Sequence, residues 1–167
     1  PGRSLVGIEI PNTAIMVVRL RNLLSEDAFR KQSPAGLALT LGRDVTGSPV
    51  FGDLQRMPHL LIAGATGSGK SICIHALLVT LLYQSGPQNL RLILIDPKRV
   101  ELAHYNGIPH LLTPVITEPV KTVHALRWAV QEMERRYERL SQRGARDIMS
   151  YNNRVDADER LPFIVVV

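Results

Sequence analysis

Residues 59–83 read HLLIAGATGSGKSICIHALLVTLLY. A short apolar run at 60–63 opens the stretch and reads as a buried strand. The next eight residues are Gly64, Ala65, Thr66, Gly67, Ser68, Gly69, Lys70 and Ser71, and they match the phosphate-loop pattern G-x-x-x-x-G-K-[ST] at every fixed position. Residues 71–84 then run apolar nearly all round, as in a helix covered on several sides. Strand, glycine loop and helix in that order are the setting in which the pattern carries its chemistry. Gly64, Gly67 and Gly69 permit backbone angles that a Cβ forbids, so successive N–H groups can turn toward phosphate oxygens. The helix start adds unpaired donors and the positive end of a dipole. Lys70 is expected to place a point charge on the β- and γ-phosphates, and the Ser71 hydroxyl to ligate Mg²⁺. All eight residues are expected to hold a nucleotide, with Lys70 and Ser71 taking the catalytic roles.

Working outward, residues 92–95 form a second strand candidate, closed by Asp96 and Pro97. Strand, loop, helix and strand predict a right-handed parallel βαβ unit and an α/β fold. A phosphate loop also needs a carboxylate at the end of a neighbouring strand to hold the metal. Asp96 ends the run at 92–95, and the apolar run at 163–167 ends at Val167. In many phosphate-loop folds the first strand after the loop helix lies away from the phosphates, and Asp96-Pro97 reads as a strand exit. The metal acid is therefore expected just beyond Val167. On that reading this stretch of chain binds nucleotide but hydrolyses it poorly.

Residues 99–119 are irregular and proline-rich; His104 and His110 fall here at no metal-ligand spacing. A long helix follows over 120–143. Val123, Leu126, Val130, Met133, Tyr137 and Leu140 recur at intervals of three and four, an apolar stripe on one side. Arg135, Arg139, Arg143 and Arg146 make a basic ridge. Its like charges at i, i+4 suggest an acidic partner surface, a DNA backbone or a neighbouring subunit. Glu132, Glu134 and Glu138 equally allow a solvated, charge-balanced face. Toward the start of the chain, residues 5–10 and 14–20 are strand-like, and 23–29 reads as a short helix with Ser25 as N-cap. Two short runs at 37–41 and 49–54, split by turn residues, predict a hairpin. We place a boundary near Ser33, with 1–33 as the tail of a small accessory domain and 34–167 as the nucleotide-binding domain.

The 167 residues are 45% hydrophobic and 21% charged, with a net charge of +5. That is ordinary for a globular domain, and the basic excess suits a polyanionic partner. A single cysteine, Cys73, excludes an internal disulfide and reads as filler inside the loop helix. No run of about 18 apolar residues occurs, so no membrane-spanning helix is expected within these residues. A start on Pro1 and a stop inside an apolar run point to a piece of something longer.

Several stretches together resemble the motor domain of the FtsK/SpoIIIE family of DNA-pumping ATPases. They are PGRSLVGIEIPN, MPHLLIAGATGSGKS, LILIDPKRVEL, the GIPHLL and PVIT segments, RWAVQEMERRYERL and the final LPFIVVV. The resemblance covers essentially the whole chain. It implies a RecA-like P-loop NTPase core preceded by a small domain, with ATP and Mg²⁺ as cofactors. It also implies a homo-hexameric ring around double-stranded DNA, acting in chromosome segregation at cell division. The full-length protein would be tethered to the cytoplasmic face of the bacterial inner membrane and could meet other division or recombination proteins. A related conjugative coupling or DNA-packaging ATPase is the alternative. A small-molecule kinase is disfavoured because residues 99–119 offer few groups for an acceptor substrate. A non-catalytic nucleotide-binding module is the third class.

Overall fold

The computed structural model describes residues 10, 16–31 and 36–167. The strand expected at 5–10 and the residues around the boundary at Ser33 lie outside those residues or at their edge, whereas the described part of the run at 14–20 is not strand: 16–19 form no regular element and Leu20 begins a helix. The first described elements are α1 (Leu20–Leu24) and α2 (Asp27–Arg30). Ser25 is not the N-cap expected from sequence. It ends α1, where its hydroxyl donates to the Arg21 carbonyl at 2.8 Å. A Ser so placed satisfies a carbonyl left over by the preceding turn, so the single predicted helix becomes two.

The predicted hairpin forms. Strand β1 (Ala38–Arg43) pairs antiparallel with β2 (Pro49–Asp53), with an irregularity between Thr40 and Gly42. Asp44 closes the turn: its carboxylate accepts the Thr46 hydroxyl at 2.6 Å and the Thr46 and Ser48 amides at 2.8 and 3.0 Å. The hairpin docks on helix α3 (Lys70–Gln84) through β1. Gln84 clamps the β1 backbone, accepting from the Ala38 amide at 3.2 Å and donating to its carbonyl at 2.8 Å. Below this, the Thr40 and Thr80 hydroxyls meet at 2.7 Å in a buried contact.

Strand β3 (Leu90–Ile93) is the axis of the fold. It pairs in parallel with β4 (Phe163–Val166). On its other edge, isolated bridges join Leu92 to Leu111 and Ile95 to Ile116. Its backbone groups are thus met from both sides, and Leu90, Leu92 and Leu94 are fully buried. Helix α4 (Pro119–Gln142) and the short α5 (Ile148–Asn152) lie in the crossover from β3 to β4. Asp147 caps α5 with a reciprocal capping box to Ser150. Gly144, at φ +60°, follows the end of α4.

Two expectations need correction. The run at 60–63 is not a strand and shows no ladder pairing among the described residues. Leu61 is 91% exposed. The parallel pair is β3 with β4 rather than the loop strand with β3. An apolar cleft of about 880 Å³, walled by Leu39, Pro58, Ile62, Leu78, Phe163 and Val165, lies along β4 beside that run. Of this run only Ile62 packs against the core, because a strand needs a partner edge as well as an apolar pattern. Helix α3 is likewise buried on fewer sides than its composition suggests. Leu77, Leu78, Thr80 and Leu81 are buried, while Ile72 and Tyr83 are mostly exposed.

Candidate nucleotide-binding site

The eight-residue loop lies between the unpaired run at 60–63 and the first turn of α3. Gly67 and Gly69 sit at φ +81° and +90°, left-handed conformations that side chains resist. Gly69 is also the N-cap of α3, so it both reverses the chain and starts the helix. At Gly64 a Cβ would meet the Ser68 side chain, so a larger residue there would push Ser68 aside. The Ser68 amide bonds the Ala65 carbonyl at 3.1 Å, and the Cys73 amide bonds the Gly69 carbonyl at 2.9 Å. The N–H groups of the first helical turn have no acceptors within the helix and point past its end. Lys70 folds back across the loop and donates from Nζ to the carbonyls of Gly64 and Ala65, both at 2.8 Å. The exposed loop thus sets one ammonium beside the unpaired amides of a helix start, a combination that suits an oxyanion. Ser71, the second helical residue, offers a hard hydroxyl oxygen of the kind Mg²⁺ accepts.

Asp96, the nearer of the two acids weighed from sequence, is 5% exposed and fully engaged. Its Oδ1 accepts the Arg99 amide at 3.0 Å, and its Oδ2 accepts the Glu101 and Leu102 amides at 2.9 and 3.0 Å. The Leu102 N–H in particular holds the carboxyl below the usual Asp range. Burial works the other way and is outweighed with the help of the Glu101 and Arg99 amides. This anchoring shapes a turn in which Arg99 takes φ +61°. The side chain thus acts as a loop scaffold. Among the described residues no group of three or more His, Cys, Asp or Glu could hold a metal ion, and His104 and His110 join none. His110 Nε2 instead meets the Ser85 carbonyl at 2.8 Å.

One link was invisible in the sequence. His75, one turn after Ser71, meets the buried Tyr105 hydroxyl at 3.1 Å through Nδ1, and its ring lies 5.0 Å from that of His104. Burial pushes the Tyr105 hydroxyl up from its usual range. The loop after β3 is thereby tied to the helix that carries Lys70. No local signal announces a contact between residues so far apart in the chain.

The basic ridge of α4 is mostly spoken for. Arg135 pairs with Glu132 at 2.7 Å. Arg139 donates to the Tyr151 hydroxyl at 2.9 Å and lies 5.5 Å from the centre of that ring. Arg143 reaches Glu159 at 3.2 Å. Arg146 is exposed. Arg136, not singled out from sequence, is largely enclosed. It bonds Glu132 at 2.6 Å and the Pro162 carbonyl at 2.7 Å, just before β4.

Comparison with known proteins identifies the family and the fold. The chain is 54% identical over its whole length to the DNA translocase FtsK of Caldanaerobacter subterraneus subsp. tengcongensis, of which it spans 23%. It is 51% identical over its whole length to the DNA translocase SftA of Bacillus subtilis, of which it spans 18%. The chain therefore covers about a fifth of the curated relatives it matches. Among solved structures, the pCW3 conjugation coupling protein TcpA with ATPγS aligns over 84% of this chain and 37% of its own. The TM-score is 0.67 at 28% identity. The cytoplasmic domain of EssC aligns over 77% of this chain and 25% of its own, with a TM-score of 0.68 at 25% identity. The fold is the α/β P-loop ATPase core expected from sequence. The family model of FtsK/SpoIIIE matches residues 19–167, and the chain belongs to the FtsK/SpoIIIE family.

Proposed function

We propose that this chain is the nucleotide-binding part of an ATP-driven motor that moves along double-stranded DNA during chromosome segregation at cell division. The observation that carries the reading is the loop from Gly64 to Ser71, with the Lys70 ammonium spanning it. ATP is held by the amides of Gly64, Ala65, Thr66, Gly67, Ser68 and Gly69 and by Lys70 and Ser71. On phosphate binding Lys70 exchanges its two carbonyl acceptors for β- and γ-phosphate oxygens. There it offsets the charge that grows on the transferring group. Mg²⁺, held through the Ser71 hydroxyl, supplies further charge neutralisation on the phosphates. With Asp96 committed to its turn, the second metal-holding acid comes from residues following Val167, and the 167-residue chain by itself turns ATP over slowly.

The working unit in this proposal is a homo-hexameric ring around duplex DNA. In the longer protein it is tethered at the cytoplasmic face of the inner membrane, where division or recombination proteins can meet it. Residues 1–33 then belong to a small domain ahead of the ATPase domain at 34–167. The likeness to a conjugation coupling protein, at 28% identity, favours the alternative reading less than the two DNA translocases at 54% and 51%. The test is ATP turnover of the longer protein with and without duplex DNA. Stimulation by DNA, abolished by Lys70→Ala, supports the motor. Turnover indifferent to DNA, or more than half retained after Lys70→Ala, contradicts it.

A further inference from the structure

Helix α4 buries a different side from the one its sequence advertises. The line turned to the rest of the chain is Ala125, Ala129, Glu132 and Arg136, small or polar, with Glu132 8% exposed. The apolar stripe lies roughly a quarter-turn around the helix, by the 3.6-residue period. Its members are half open: Leu126 and Met133 are 47% exposed, Val130 52% and Tyr137 64%. With Val123 and Leu140 it repeats as a heptad, Val123, Val130 and Tyr137 at one core position and Leu126, Met133 and Leu140 at the other. A contiguous apolar stripe of this kind marks an interaction surface.

The flanking charges say what covers it. Arg127 and Glu134 each follow a stripe residue by one position, seven residues apart. Both are exposed, and neither has a side-chain partner among the described residues. When a second copy of the helix runs antiparallel, Val130 meets Met133 of that copy and Leu126 meets its Tyr137. In that register Arg127 lies two residues, about 3 Å along the axis, from the level of Glu134 of the second copy, within reach of an ion pair on the flank of the seam and repeated by symmetry. A parallel pair sets these charges against Thr122 and Ala129 and gains no ion pair. We propose that the stripe of α4 is a homotypic docking surface, on which a second copy of this chain packs its own α4 antiparallel across a two-fold axis.

Such a contact is isologous, distinct from the head-to-tail contacts of a ring, and does not rest on the nucleotide reading. A helix of this length is about 36 Å long and about 10 Å wide. That footprint, about 360 Å² per copy, is below what stable specific interfaces bury, so the pair is weak and reversible.

Sedimentation velocity of the 167-residue chain from about 1 to about 500 μM tests it, a range set for weak association. The expected result is a monomer–dimer equilibrium. Val130→Glu weakens it about tenfold or more while the circular dichroism spectrum stays unchanged, since the replaced side chain is half exposed. Arg127→Glu also weakens it, and Arg127→Glu combined with Glu134→Arg restores it. A chain that stays monomeric throughout overturns the proposal. So does an oligomer that Val130→Glu leaves intact, or a double exchange that fails to restore pairing. The longer protein is run alongside: if Val130→Glu leaves its self-association unchanged, the stripe is covered by that protein's own further residues and the proposal is overturned.

Discussion

Replacing Asp96 with Asn separates a scaffold from a metal ligand. The carboxylate accepts three backbone amides, two on Oδ2 and one on Oδ1. An asparagine does best by turning its oxygen to the Glu101 and Leu102 amides. Its NH₂ group then faces the Arg99 amide, donor against donor. One hydrogen bond to a charged acceptor is lost outright, a loss of about 1.5–3 kcal/mol, and two become neutral bonds of roughly half the strength. Because the Leu102 amide is buried, water cannot take over cheaply. The expected destabilisation is about 2–4 kcal/mol, a large share of the roughly 5–15 kcal/mol that holds a domain together. Urea unfolding of the 167-residue chain measures it. Amide exchange at Glu101 and Leu102 should quicken before global unfolding, and affinity for Mg·ATPγS should change little. A loss below about 1 kcal/mol, or one accompanied by lost metal-dependent nucleotide binding, would refute the scaffold argument.

Glu132 should make stability fall in acid. Burial pulls its pKa up, but hydrogen bonds and charge from Arg136 and Arg135 outweigh that and leave the folded-state value depressed. Its contribution is therefore fully present above the unfolded pKa and disappears as pH falls through the folded one. Urea midpoints between neutral pH and about pH 3 should drop less in Glu132→Gln, which is already weakened at neutral pH, than in the parent. For the ridge, Arg139→Gln should lose about 1–2 kcal/mol through its bond to Tyr151 and its stacking on that ring. It should leave the salt slope of DNA binding by the longer protein unchanged. A flattening of about 0.9 would instead show a direct phosphate contact.

The loop was legible because its signal is local: three glycines, a lysine and a serine at fixed spacing can be read without knowing what surrounds them. The β1–β2 hairpin, α3, α4 and β4 were legible for the same reason, each resting on a short-range period or on turn chemistry. Three features were not legible, and each depends on partners distant in sequence. The run at 60–63 has a strand's pattern but no paired edge. The stripe of α4 has a core's pattern, yet Glu132 and Arg136 take the inward position because Pro162 offers a carbonyl there. Of the ridge, the pairing of Arg135 with Glu132 one turn away was open to reading, but Arg139 and Arg143 find Tyr151 and Glu159, which no local pattern announces. At Asp96, residue type alone could not separate a metal acid from a turn scaffold; the three amides around it do.

Calorimetric titration of the 167-residue chain with ATPγS in the presence of Mg²⁺ decides whether the loop around Lys70 is a nucleotide phosphate site. The account predicts one site per chain, with affinity falling about tenfold or more in Lys70→Ala, the effect of removing one charge-assisted contact to phosphate. Binding that survives Lys70→Ala unchanged, or an unaltered chain that takes up no ATPγS, would contradict it.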